Sequence, residues 1–270
     1  MSTLPSDVSL LAGITASLRK AGCVFAEEEA AILAASARSA GELRAMAARR
    51  ADGAPLEHVV GWAEFAGLRI AVAPGVFVPR RRTEFLVAEA ARLLPEHAVV
   101  VDLCCGSGAL GAALHAAGKG VELHAADIDP AAVACARGNV RGTVHQGDLF
   151  EPLPARLRGR VDVLLANVPY VPSDQIALLP SEARDHEART ALDGGPDGLD
   201  VLRRVAAAAP RWLAPRGRLL VETGEHQTSA AVAAFTAHGL TVHVASAPDY
   251  DATVLIATLP RPHPAHAEEA

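Results

Sequence analysis

Apolar residues recur at intervals of three and four from Val8 to about Arg50: Leu10, Leu11, Ile14 and Leu18, then Ala30, Leu33 and Ala37. That interval repeats one face of a helix, and with Gly22 and Gly41 as punctuation it predicts two or three short helices. The stretch 51–55 breaks the pattern. Residues 62–72 read as two short strands around Ala66-Gly67, and Pro74-Gly75 marks a further turn. From Thr83 the period alternates. Helices are expected at 83–94, 109–117, 131–140, 199–209 and 228–238, and strands at 98–103, 121–126, 161–166, 218–222, 241–246 and 253–258, with a further strand ahead of Gly147. Such alternation predicts an α/β protein whose largely parallel sheet is covered by helices on both faces. The last two strands follow one another too closely for a parallel crossover, which needs a dozen or more residues, so the last strand should run antiparallel. The expected organisation is a helical domain at 1–54, a β-hairpin linker at 55–82, an α/β domain at 83–260 and a disordered, proline-containing tail at 261–270.

Composition narrows the chemistry. Hydrophobic residues make up 50% of the 270 and aromatics only 4%, so the core must be built from Leu, Val, Ile and Ala. A net charge of −6, with Lys20 and Lys119 the only lysines, argues against a surface that tracks nucleic-acid phosphates. Arg80, Arg81 and Arg82 form the densest basic stretch. Cys23, Cys104, Cys105 and Cys135 show neither a CxxC pair nor a partnering histidine spacing, so no metal site or disulfide framework is expected and a reducing cytoplasm is the simpler setting. No secretion signal and no membrane span are predicted.

Three segments carry candidate chemistry, each at the carboxyl end of an expected strand. Val99-Val100-Val101-Asp102-Leu103-Cys104-Cys105-Gly106-Ser107-Gly108 runs from a buried strand through a turn with two glycines into a helix, which brings a small ligand against bare backbone. It lacks the third glycine of a dinucleotide fingerprint and the Lys-Ser/Thr of a phosphate loop, so the ligand need not carry phosphates; plain turn glycines are the alternative. At the end of the second strand stand Asp127-Ile128-Asp129-Pro130. Asp127 can accept both hydroxyls of a ribose, whereas Asp129 before Pro130 reads as a helix N-cap. Gly147-Asp148-Leu149-Phe150 would border an adenine. After the fourth strand, Asn167-Val168-Pro169-Tyr170 projects an amide, a constrained backbone and an aromatic ring; a turn with a packing tyrosine is the alternative.

Together these segments resemble the class I S-adenosyl-L-methionine-dependent methyltransferases, and within them the protein-glutamine N-methyltransferases that modify peptide-chain release factors. The likeness spans nearly the whole chain: Pro55-Leu56, Gly61, Glu64-Phe65 and Gly67-Leu68 look like the family's linker hairpin. Val78-Pro79-Arg80 with Thr83-Glu84 looks like its Pro-Arg-x-x-Thr-Glu segment, and Ala191 to Leu199 resembles the segment after its acceptor motif. The resemblance implies a Rossmann-like seven-stranded sheet, S-adenosyl-L-methionine as cofactor with S-adenosyl-L-homocysteine as product, and a cytoplasmic monomer whose partner is a release factor, recognised by the N-terminal helices. It assigns the cofactor to Asp102, Cys104, Cys105, Gly106, Ser107, Gly108, Asp127, Ile128, Asp148, Leu149 and Asn167, and the acceptor to Asn167, Val168, Pro169, Tyr170, Arg80 and Glu84. The Asn167 side-chain oxygen and the Val168 carbonyl would accept the two amide hydrogens, with Tyr170 stacked alongside. Arg81 and Arg82 read as a solvated helix entrance, and His58 and His186 as surface partners of acidic neighbours. Two departures stand out: Val168 where the family has proline, and Cys104-Cys105 where it has Gly-Thr. The alternatives are a nucleic-acid adenine amino-methyltransferase, against which the charge counts, and a catalytically silent cofactor-binding paralogue acting as an interaction module.

Overall fold

A computed structural model describes residues 8–261. The tail expected at 261–270 lies, apart from Arg261, outside the described residues. Helices α1 (Val8–Lys20), α2 (Ala26–Ser36) and α3 (Ala40–Ala51) bury Ile14, Leu18, Leu33, Leu43 and Met46 among themselves. Ser39 caps α3 by accepting from the Glu42 amide at 3.1 Å, so Gly41, expected as punctuation, sits inside the first helical turn. The next segment differs from the expected linker: residues 56–60 form a short helix, α4 (Leu56–Val60), whose Val59 packs with the three preceding helices. The hairpin itself is β1 (Trp62–Phe65) and β2 (Leu68–Ala71), turning at Ala66-Gly67.

The main sheet comprises β3 (Val99–Leu103), β4 (Glu122–Asp127), β5 (Thr143–Gln146), β6 (Val161–Ala166), β7 (Leu213–Thr223), β8 (Thr241–Ala247) and β9 (Ala252–Thr258), in the order β5-β4-β3-β6-β7-β9-β8. The strands from β5 to β7 in that order pair in parallel, and β9 runs antiparallel to both β7 and β8, as the short final connection required. Helices α5 (Glu84–Arg92), α6 (Ala109–Ala117) and α7 (Pro130–Asn139) connect the early strands, α8 (Ser181–His186) and α9 (Asp200–Ala208) follow β6, and α10 (Thr228–Thr236) follows β7. Side chains alternate into two cores: Val100, Val163, Leu165 and Leu220 face the hairpin, α5 and α6, while Val101, Leu164, Leu219 and Val221 face α9 and α10. Burying each such aliphatic side chain is worth about 1.5–3 kcal/mol, which makes the sheet a stiff base for the loops at its edge.

The chain lays down β3, β4 and β5 outward in one direction and then returns to place β6 on the other side of β3. Loops after β3 and β6 therefore part at this reversal, opening a crevice at the carboxyl edge of the sheet. The 33 residues between β6 and α9 include α8 and cross that edge, held by parallel bridges between Val171 and Asp193 and between Gly75 and Glu187.

Candidate active site

The turn after β3 carries three successive left-handed residues at alternate positions, Cys104 (φ 52°), Gly106 (φ 55°) and Gly108 (φ 78°). Gly108 has a second constraint, because a Cβ there would stand 2.5 Å from Val140 Cγ2 at the end of α7. Cys104 holds a conformation that costs a side-chain-bearing residue about 1–2 kcal/mol. Burial pushes its thiol and that of Cys105 well up, so neither serves as a thiolate nucleophile. Asp127, at the end of β4, ties this turn down: one oxygen accepts from the Gly106 amide at 2.8 Å and the other from the Asp129 amide at 2.9 Å. Burial raises its carboxyl above the ordinary range, opposed by those two amides. Each carboxylate oxygen keeps a further lone pair, so hydroxyl groups of a ligand can still be accepted. Asp129 caps α7 by accepting from Ala131 at 2.8 Å, with Pro130 in the first turn.

Across the crevice, the turn after β6 is built from outside. Gln227 donates to the Tyr170 carbonyl at 2.9 Å and to the Asp197 carbonyl at 3.0 Å, and Val171 exchanges bonds with Leu192 and Gly194 at 3.0 and 2.9 Å. Gly194 lies so close that a Cβ would come within 2.7 Å of the Pro169 carbonyl oxygen and 2.6 Å of that of Gly198. This explains the glycine at 194, in a segment that wraps the Asn167–Tyr170 turn. Asn167 presents a side-chain oxygen that is buried and without a hydrogen-bond partner. Val168 turns its side chain into the core on the α9 face. The Tyr170 hydroxyl is bonded by Arg82 Nη2 and donates to Glu222 Oε1 at 3.4 Å, while burial, reinforced by Glu222, pushes the phenol up to about 12.

A cleft of about 1150 Å³ joins the two sides. That exceeds the roughly 300–1,000 Å³ of a typical single-ligand pocket, leaving room for a cofactor and an acceptor together. Cys104, Cys105, Gly106, Ser107, Asp127, Ile128, Asp148 and Leu149 line one end, and Asn167, Val168, Pro169, Tyr170 and Arg80 the other. Three residues expected in the site do not reach its walls. Asp102 lies beneath, buried, accepting from the Gly111 amide at 2.8 Å; Gly108 packs on α7; and Glu84 accepts from the Ala66 amide at 3.0 Å, fastening α5 to the hairpin turn. Arg80 is held by Glu187, whose two oxygens lie 2.6 and 2.7 Å away. Glu187 is buried, and so is His58, which was expected on the surface; its Nε2 lies 2.8 Å from the Val76 carbonyl oxygen.

Several wall residues were not assigned to the site from the sequence, among them Phe77, Thr83, Arg82 and Arg204. Phe77 and Thr83 roof the glycine turn, and the Thr83 hydroxyl is buried without a partner. Arg82, expected to be solvated, lines the cleft and pairs with Glu222 at 3.0 Å. Arg204 of α9 holds Asp148 at 2.5 Å. Ile128 leaves 57% of its surface open in the cleft, an apolar seat opposite Leu149 that a flat base would cover. An acidic hydroxyl acceptor at Asp127, an apolar seat at Ile128 and Leu149, a bare-backbone turn at Gly106 and unsatisfied polar atoms at Thr83 and Asn167 fit S-adenosyl-L-methionine.

Comparison with known proteins agrees. The model of the methyltransferase small domain family matches residues 67–246. A release factor glutamine methyltransferase of Geobacter sulfurreducens is 41% identical over 206 residues, covering 73% of this chain and 70% of that protein. A 4-amino-L-phenylalanine/4-methylamino-L-phenylalanine methyltransferase of Streptomyces pristinaespiralis is 36% identical over 210 residues, covering 74% of this chain and 71% of the relative. Among solved structures, a methyltransferase from Pyrococcus furiosus shares the fold with a TM-score of 0.55 over 72% of this chain and 90% of that one, at 15% identity. With its sheet order, its cleft and these relatives taken together, the chain belongs to the methyltransferase small domain family and to the S-adenosyl-L-methionine-dependent release factor glutamine methyltransferases.

Proposed function

We propose that the chain methylates the side-chain amide nitrogen of a glutamine in a release factor's Gly-Gly-Gln loop, and so acts in translation termination. The observation that carries this reading is the buried, unpartnered oxygen of Asn167 at the cleft wall, in the Asn-x-Pro-Tyr turn. An amide nitrogen is a weak nucleophile because its lone pair is shared with the carbonyl. Two acceptors aimed at its hydrogens hold the plane and favour charge developing on nitrogen. Asn167 Oδ1 supplies one, and the Val168 carbonyl the other. Tyr170 flanks the amide and keeps water out. Bound S-adenosyl-L-methionine supplies an electrophilic methyl group on sulfur; Asp127, Ile128 and Leu149 hold its nucleoside, and Cys105 to Ser107 lie along its amino-acid end. The proton leaves nitrogen after transfer, so no strong base is needed in the wall.

The remaining assignments follow from the same reading. Residues 1–54 recognise the protein acceptor, 55–82 link and roof the cleft, and 83–260 carry the transferase; the protein acts as a cytoplasmic monomer without binding nucleic acid directly. Among the described residues no helix is long and apolar enough to cross a membrane. A second reading, methylation of an aromatic amine, is favoured by the name of the Streptomyces relative and by the apolar arm of the cleft at Val171, Leu178 and Leu179. Incubating the chain with labelled cofactor and a purified release factor, then locating the label by mass spectrometry, tests the proposal. Label on the Gly-Gly-Gln glutamine, reduced about a hundredfold or more by Asn167→Ala, is expected. An inactive wild type, or full activity in the variant, refutes it.

A further inference from the structure

We propose that Arg82, held by Glu222, is a positioning residue that fixes the Tyr170 ring as a wall of the acceptor slot; this rests on the acceptor reading above. The three side chains come from separate elements: Arg82 from the single helical turn Arg81–Thr83 before α5, Tyr170 from the turn after β6, and Glu222 from the end of β7. They meet at one point. Arg82 Nη2 donates to the Tyr170 hydroxyl, Arg82 Nε lies 3.0 Å from Glu222 Oε1, and the Tyr170 hydroxyl reaches the same Oε1 at 3.4 Å. The guanidinium carbon also stands 5.7 Å from the centre of the Tyr170 ring.

The Glu222 side chain is only 4% exposed, and a buried carboxylate needs a cation. The neighbouring guanidinium does not supply it, because Arg80 is engaged by Glu187 at 2.6 Å, and Arg81 is exposed. Arg82 is therefore the cation of this cluster, and Glu222 aims it. With the phenol oxygen both accepting and donating, the ring is fixed at its far end as well as at its backbone, where Gln227 holds the Tyr170 carbonyl. A lysine at 82 would keep the charge toward Glu222 but lose the planar fork from which Nη2 reaches the Tyr170 hydroxyl.

Because Arg82 acts through Tyr170, its loss should be read in the acceptor and not in the cofactor. Arg82→Met is expected to lower kcat/KM for the release factor about thirtyfold while cofactor affinity by calorimetry stays within about twofold, the pattern of a displaced wall. Arg82→Lys should fall between, and it carries the test if Arg82→Met does not fold. Glu222→Gln should act in the same direction, and the double variant should be no worse than Arg82→Met, because the two side chains work as a unit. The fluorine spectrum of protein carrying 3-fluorotyrosine gives a readout that needs no acceptor. The chain has two tyrosines, and Tyr250, 42% exposed, is the internal reference. A Tyr170 resonance that shifts or broadens in the Arg82 variants while that of Tyr250 stays put is expected. An unchanged Tyr170 resonance, unchanged kcat/KM, additive effects in the double variant, or equal losses of acceptor and cofactor binding overturn the proposal. A wild type inactive on the release factor overturns the acceptor reading, and the fluorine spectrum then decides the role of Arg82 by itself.

Discussion

Replacing Gly194 by alanine adds one methyl group outside the cleft, and it should disable transfer while sparing the cofactor. The new Cβ would stand 2.6 Å from the Gly198 oxygen and 2.7 Å from the Pro169 oxygen. Both are backbone atoms, so neither can rotate away as a flexible side chain would. Reaching ordinary contact requires the Pro169 carbonyl and the 194–198 loop to separate by about 0.7 Å more, a strain of the size that costs roughly 1–3 kcal/mol in a packed interior. Pro169 is itself assigned to the acceptor and stands between Val168 and Tyr170, and misplacing such groups by about 1 Å costs on the order of a hundredfold. The expected outcome is a kcat/KM on the release factor lower by about 10–100-fold, or roughly 1.4–2.7 kcal/mol in barrier. Cofactor affinity should stay near that of wild type, since the glycine turn after β3 lies across the cleft. Methyl transfer from labelled cofactor and calorimetry with S-adenosyl-L-homocysteine measure the two quantities separately. If Gly194→Ala retains full activity with an unshifted melting temperature, the loop does not press on the turn and the explanation of the glycine at 194 fails.

Other substitutions probe the opposite wall and the core beneath it. Cys104→Gly should leave cofactor affinity within about threefold and the melting temperature no lower, whereas Cys104→Val, a β-branched residue at φ 52°, should destabilise by about 2 kcal/mol in thermal melts; equal stability of the two would show that the turn is not strained. Burial raises Asp102 to about 7, so its contribution to stability is complete below about pH 4 and is lost as pH rises through 7; Asp127 and Glu187, also raised by burial, act in the same sense. Asp102→Asn should therefore melt higher than wild type at pH 8 and flatten the decline between pH 5 and 8, with parallel curves counting against the assignment. Val168→Pro, with the side chain already packed in the core and Pro169 constraining the backbone, should keep release-factor activity within about tenfold; a complete loss would mean that valine shapes the slot for another acceptor.

What was legible in the chain follows from where the information is local. Strand β6 and helix α6 fall at their expected bounds because each is a buried apolar run with a clear break at both ends, Gly108 and Gly118 in the case of α6. The antiparallel last strand followed from connection length, whereas the order of the strands across the sheet is set by pairings distant in sequence and was not read from the chain. Helices α4 and α8 were not expected, because five or six residues hold too few turns to show a period. Strand β7 begins at Leu213, five residues earlier than its apolar pattern, since Ala214 to Gly217 interrupt the pattern while the backbone pairing continues past them, with a register shift opposite β6. The same limit applies to the site. Asn167, Tyr170 and Asp127 stand at strand ends, where chemistry is concentrated. Arg82, Glu187, Glu222 and Gln227 matter through partners 30 to 140 residues away, and no spacing along the chain encodes such pairs. Arg82 was misread for that reason: its immediate neighbours are charged, and its true partners arrive from the ends of β6 and β7.

The position of β9 bears on how the protein comes into being during synthesis. The last of the described strands to be made fills an interior place, between β7 and β8, and β8 pairs with β9 alone. Until Ala252–Thr258 has emerged, β7 shows an open hydrogen-bonding edge and β8 has nothing to join, the kind of exposed edge that invites association with other chains. A nascent chain stopped just before Ala252 would contain every residue that lines the cleft, yet Glu222 and Thr223 would lack the strand that pairs with them at Val254 and Thr253. Premature termination at that point therefore removes a keystone and not a margin.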